Sequence, residues 1–201
     1  MPKSIPVLQL TQGQVAWTLS LGQLPSKQTI DQLRYLRQIG VPFSEVELGG
    51  GRGYHVHYGY VHLVECGLAL YAIRRGMVPR EAAEYLISQR QTLRPLYRRA
   101  FRKLPENALG WDWVKSRGKQ GALLAGSYDL RMHNRYSQTP GKIEVEMRPD
   151  PQTGALPGDL VERFPDNEPR LWVPLSNLVL EWTAWALEAP ELKRGPKNSE
   201  R

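Results

Sequence analysis

Residues 26–40 place the tightest constraint on how this chain folds. Ile30, Leu33, Leu36 and Ile39 recur at helical spacing, so a helix here hides one face and must pack it on something else. Ser26 is suited to cap its start, and Gly40 to the left-handed conformation that stops a helix. Lys27, Arg34 and Arg37 fall on the remaining surface, with Gln28, Gln32 and Gln38 among them. Arginine and lysine neutralise phosphates or read guanine, and glutamine pairs with adenine. Such a helix suits a DNA groove. A solvated surface helix carries the same pattern, so the flanking segments have to decide.

The charge distribution points the same way. Residues 1–119 carry a net +9 and residues 120–201 a net −2, within a total of +7 over 201 residues. A basic first part joined to a mildly acidic second part suggests a polyanion-binding module attached to something else. No apolar run approaches the roughly 20 residues of a membrane span. No secretory stretch follows Met1, and the single cysteine, Cys66, excludes an internal disulfide. The expectation is a cytoplasmic protein.

Along the chain, Thr11 is suited to cap a first helix reaching Leu21, with Val15, Trp17 and Leu19 for a core. Residues 22–26 read as a turn into the second helix, which makes a helix-turn-helix candidate. Glu45-Val46-Glu47-Leu48 and Tyr54-His55-Val56-His57-Tyr58 alternate around a glycine cluster at 49–53. That arrangement predicts a β-hairpin with Arg52 at its tip. A narrow arginine-tipped hairpin suits a minor groove or a phosphate backbone, and a surface loop is the plain alternative. A third helix follows from Tyr60 to Arg75, closed by Gly76. Pro79 opens a fourth, in which Arg90, Arg94, Arg98 and Arg102 recur every four residues beside Arg99 and Lys103. That stripe suits phosphates, an acidic partner or plain solvent, and Pro95 is expected to kink or break the helix. A boundary is expected near Leu104. Beyond it, 127–134, 142–148 and 170–173 read as strands, and Ser176 as the cap of a last helix carrying Trp182 and Trp185.

The second helix, hairpin and third helix together resemble the DNA-binding domain of the MerR family of winged-helix transcription regulators. Leu33-Arg34-Tyr35-Leu36-Arg37-Gln38-Ile39-Gly40-Val41 is similar to the family pattern L-R-Y-Y-x-x-I-G-L. Gly53-Tyr54-His55-Val56-His57-Tyr58 resembles its wing pattern G-Y-R-x-Y with one extra residue. Arg75-Gly76-Met77-Val78-Pro79-Arg80-Glu81 falls where the family closes with L-G-(F/L)-(S/P)-x-x-E. The resemblance covers roughly residues 10–90. It implies a second helix in the major groove with Arg34, Tyr35 and Arg37 near phosphates. It also implies a wing contact through Arg52, Tyr54, His55 and His57, and dimers on partly palindromic promoters.

Other chemistry has less support. His55, His57 and His62 lack a carboxylate or thiolate at metal-ligand spacing, so no metal is expected. Gly49–Gly53 lacks the Lys-Ser/Thr of a phosphate loop, and no cofactor is expected. Glu144 and Glu146 share a face of a candidate strand and, with Asp129, would suit a magnesium-dependent nuclease site; exposed strands carry the same pattern. The expected class is α+β: a MerR-like winged helix-turn-helix with a basic helical extension over 1–104, then a small α+β domain over 105–201. The second domain would serve dimerisation or bind an effector or protein partner. The expected function is sequence-specific, non-enzymatic binding of double-stranded DNA to regulate transcription. Lys27, Gln28 and Gln32 would read bases, while Arg34, Arg37, Arg52, Arg90, Arg94 and Arg98 would neutralise phosphates. An excisionase-like architectural factor and a nucleic-acid-processing enzyme in the C-terminal half are the alternatives.

Overall fold

Each helix start along the first hundred residues has a local cause. The computed structural model describes residues 4–48, 56–104, 128–133, 143–147 and 170–191. Helix α1 (Gln12–Leu19) begins in a capping box, with Thr11 and Gln14 each satisfying the other's backbone N–H. Helix α2 (Lys27–Gln38) begins at Ser26, whose hydroxyl accepts from the Thr29 amide at 3.1 Å. It ends before Gly40, which takes φ +94° as expected of a helix stop. Thr29, Leu33 and Leu36 are buried and Ile30 and Ile39 pack beside them. The predicted dry face is therefore the observed one.

Residues 45–48 correct the sequence reading. They form a single helical turn, α3 (Glu45–Leu48), and not the first strand of a hairpin. Ser44 is the reason: its amide and hydroxyl bond the Glu47 carboxylate at 2.9 and 3.0 Å, and its hydroxyl accepts from the Glu47 amide. A Ser-x-x-Glu box sets a helix start even where the side chains alternate. Residues 49–55, with Arg52, Tyr54 and His55, lie outside the described residues. Just beyond them Tyr58 pairs antiparallel with Leu10, closing both backbone bonds at 3.0 and 2.8 Å.

Helix α4 (Tyr60–Arg74) is the centre of the molecule, buried on nearly every side. Helices α5 (Pro79–Ser88) and α6 (Arg90–Arg102) follow. The break falls at Gln89, whereas Pro95 sits inside α6. The Ser88 hydroxyl donates to the Tyr85 carbonyl at 3.0 Å, a local bond that competes with helix continuation. Pro95 is exposed, so the carbonyl it leaves unbonded one turn earlier can face water.

The three predicted strands form one antiparallel sheet in the order β2–β1–β3, from β1 (Tyr128–His133), β2 (Ile143–Met147) and β3 (Arg170–Val173). Helix α7 (Leu175–Leu187) follows. Ser176 lies within its first turn and is not its cap; its hydroxyl accepts from the Tyr128 amide at 2.8 Å and ties the helix to the sheet.

The described part of 105–201 shares the core of the first part. Leu130, Met132, Val173, Leu175, Val179, Leu180 and Trp182 belong to the same buried cluster as Val15, Leu36, Leu63 and Phe101. Two glycines let α7 in so closely. A Cβ on Gly67 of α4 would lie 2.5 Å from the Trp182 ring, and one on Gly22 would lie 1.9 Å from Trp185. Trp185 also meets Trp17 edge-on, ring centroids 5.5 Å apart. The molecule is mostly helical, and no described helix is long and apolar enough to cross a membrane.

Candidate nucleic-acid interface

Helix α2 sorts its side chains by period. Lys27, Gln28, Arg34, Tyr35 and Gln38 are exposed, while Gln32 and Arg37 are half-buried at the margins of the face. Arg34 holds Asp31 at 3.2 Å, with 65 % and 50 % of the two side chains exposed. An exposed pair of this kind contributes about 0–1 kcal/mol, so a phosphate can displace the aspartate at little cost. Arg37 lies against the Tyr58 hydroxyl, whose ionisation is pushed up by burial. His57 is exposed one residue earlier. Of the residues expected on α2 to read bases or contact phosphates, Lys27, Gln28, Arg34 and Tyr35 are accessible together, with Gln32 and Arg37 at opposite margins.

The arginine stripe of α6 divides in two, and half of the expectation is corrected. Arg90 and Arg94 do not point to solvent. Their side chains are 13 % and 17 % exposed, and both bind the Glu65 carboxylate of α4, itself 1 % exposed. Arg90 donates from Nε to Glu65 Oε1 at 2.8 Å and from Nη2 to the Gly40 carbonyl at 2.6 Å. Arg94 donates from Nε to Glu65 Oε2 at 3.1 Å, from Nη1 to Glu47 Oε1 at 2.7 Å and from Nη2 to the Pro42 carbonyl at 2.7 Å. Their charge is spent inside the protein. Arg98, Arg99, Arg102 and Lys103 are exposed, and none forms an ion pair with a described residue.

His62 completes the network. Its Nδ1 accepts from the Gly59 amide at 3.1 Å, so its Nε2 carries the proton and faces Glu47 Oε1 at 3.2 Å. Burial lowers its pKa below 6.5 despite Glu47 beside it. Burial also pushes the Glu47 carboxyl up, but donation from Arg94, Ser44 and His62 outweighs it and holds Glu47 well below the usual carboxylate range. At Glu65 burial raises the pKa against the two guanidiniums that lower it. The ring of His62 stacks at a tilt on Phe43, 4.6 Å between centroids.

Glu65, Glu47 and the carbonyls of Gly40 and Pro42 went unnoticed in the sequence. A glutamate inside the apolar run Leu63-Val64-Glu65-Cys66-Gly67-Leu68 was the available signal, because a buried acid requires partners. Among the described residues no group of histidine, cysteine and carboxylate side chains is placed to hold a metal ion. In the backbone register Asp129 pairs with Glu146 and Arg131 with Glu144. No protein-family model, no curated protein and no solved structure matches this chain.

Proposed function

We propose that the protein is a sequence-specific DNA-binding transcription regulator that lays the exposed face of α2 in the groove of a duplex. The observation that carries this reading is the split of α2: a buried Thr29–Leu33–Leu36 side, and an opposite side of Lys27, Gln28, Arg34 and Tyr35 whose one acid, Asp31, is held by Arg34. Cations on such a face neutralise phosphates, and the amides of Gln28 and Gln32 suit adenine edges. The antiparallel pairing of Leu10 with Tyr58 closes the chain around α1, α2 and α3. Arg98 and Arg102 supplement the phosphate contacts. Binding as a homodimer follows if the operator is palindromic.

The test is genome-wide occupancy of the tagged protein, with a salt titration of the purified chain at its strongest site. A shared inverted motif at promoters, with log affinity falling linearly in log salt, is the expected result. Peaks confined to recombination attachment sites would instead establish an architectural factor. Absence of any specific site would refute the regulator.

A further inference from the structure

The Glu65 network does something that neither helix packing nor DNA contact alone calls for. A carboxylate buried at 1 % exposure is costly unless its oxygens are bonded. Here three guanidinium N–H contacts serve it, two from Arg90 and one from Arg94. Each of those guanidiniums also donates to a backbone carbonyl in the chain leaving α2, Gly40 for Arg90 and Pro42 for Arg94. Arg94 reaches further, to Glu47 on α3. The end of α2 is therefore held by α6, and the acid that orients both holding groups lies on α4.

The same α6 continues to the exposed Arg98 and Arg102, two and three turns past Arg90. Arg98 lies within electrostatic reach of the Tyr60 hydroxyl, and Arg37 of α2 lies at the hydroxyl of Tyr58, two residues before it. The segment 58–60 thus touches α2 through Tyr58 and α6 through Tyr60, whose hydroxyl donates to the Tyr97 carbonyl at 2.7 Å. We propose that Glu65 is a positioning residue for duplex binding: through Arg90 and Arg94 it clamps the end of α2 to α6, so that both sets of cations meet one duplex in fixed register. The clamp rests on the DNA-binding reading, and its chemistry makes predictions opposite to those of a phosphate-contact role for Arg90 and Arg94.

Arg90→Lys keeps the charge but not the fork. A lysine ammonium can serve Glu65 or the Gly40 carbonyl, not both in that geometry, whereas it still neutralises a phosphate as a point charge. Affinity for a fluorescent mixed-sequence duplex should fall about tenfold, and the slope of log affinity against log salt should become shallower by about one to two contacts. Mere loss of folded protein lowers the active fraction and leaves that slope unchanged. Amide exchange over 39–47 should quicken while that of the α4 interior does not. Glu65→Gln should act in the same direction; if Arg90 and Arg94 instead served phosphates, freeing them would tighten binding. Should Glu65→Gln not fold, Arg90→Lys decides alone. Tighter binding by Glu65→Gln, or unchanged affinity and slope in Arg90→Lys, would overturn the clamp. A wild-type chain that ignores the duplex at low salt removes the proposed function and the register claim with it. Exchange over 39–47 in Arg90→Lys then still reads whether the clamp itself exists.

Discussion

The two halves of α6 carry the same residue at the same period and put it to opposite uses. Arg90 and Arg94 lie against Glu65 with little exposure, whereas Arg98 and Arg102, on the next turns, are exposed. Nothing local separates them: all four are arginines on one helix, with Leu93, Leu96, Tyr97, Ala100 and Phe101 filling the buried side throughout. The difference lies in what stands opposite. Helix α4 offers Glu65 and the chain after α2 offers two carbonyls and Glu47 to the first half, while beside the second half Tyr60 and Phe101 pack edge-on at 5.4 Å and no acid of the described residues pairs with it. A charge stripe is a statement about spacing; its role is set by partners far away in the chain.

That contrast can be broken most sharply at its acid. Glu65→Ala leaves Arg90 buried without its counter-charge and Arg94 with Glu47 alone, a change that costs about 3–5 kcal/mol. Chemical denaturation should show that loss at constant slope; a loss below 1 kcal/mol would mean that the network contributes nothing to the fold. The exposed half should behave in the reverse way. Arg98→Ala should leave stability within about 0.5 kcal/mol while removing about one phosphate contact from the salt dependence of duplex binding. A strongly destabilised Arg98→Ala would show that this arginine too is structural.

The smallest effect separates the halves by pH. His62 belongs to the buried network, and its folded pKa lies below the ordinary 6.5. Folding therefore favours the neutral ring, so its contribution is full above 6.5 and is lost as pH falls toward the lowered folded value. Glu47 is also held low, and its contribution fades only below the ordinary glutamate value of 4.5. Wild type should lose stability between pH 7 and 5 more steeply than His62→Gln, by at most one proton's worth, about 1.4 kcal/mol per pH unit. Arg98→Ala should keep the wild-type slope. Equal slopes in His62→Gln and wild type would remove His62 from the network.

Much of the candidate interface was legible because helix periodicity and caps are local. Ser26, the 30–33–36–39 face and Gly40 all behave in α2 as their side chains dictate. Thr11, Gly76 and Pro79 punctuate the chain for the same reason, Gly76 at φ +93°. Alternation misled at 45–48, where a one-turn capping box outweighs a period-two pattern. Proline misled at 95, because its exposed position on α6 tolerates one missing bond.

The amino-acid sequence alone determined the caps and stops of α1, α2 and α4, which face of α2 is dry, and that the first part of the chain is the basic part. These depend on dihedral preference, hydrophobic period and charge count, and each is settled within a few residues. Only the tertiary structure decided that Arg90 and Arg94 are internal. Only it decided that Trp182 and Trp185 close over Gly67 and Gly22 and bring the last helix into the first part's core. Both outcomes depend on pairing across long separations, such as Glu65 with Arg90, where the sequence records two charges but not the distance between them.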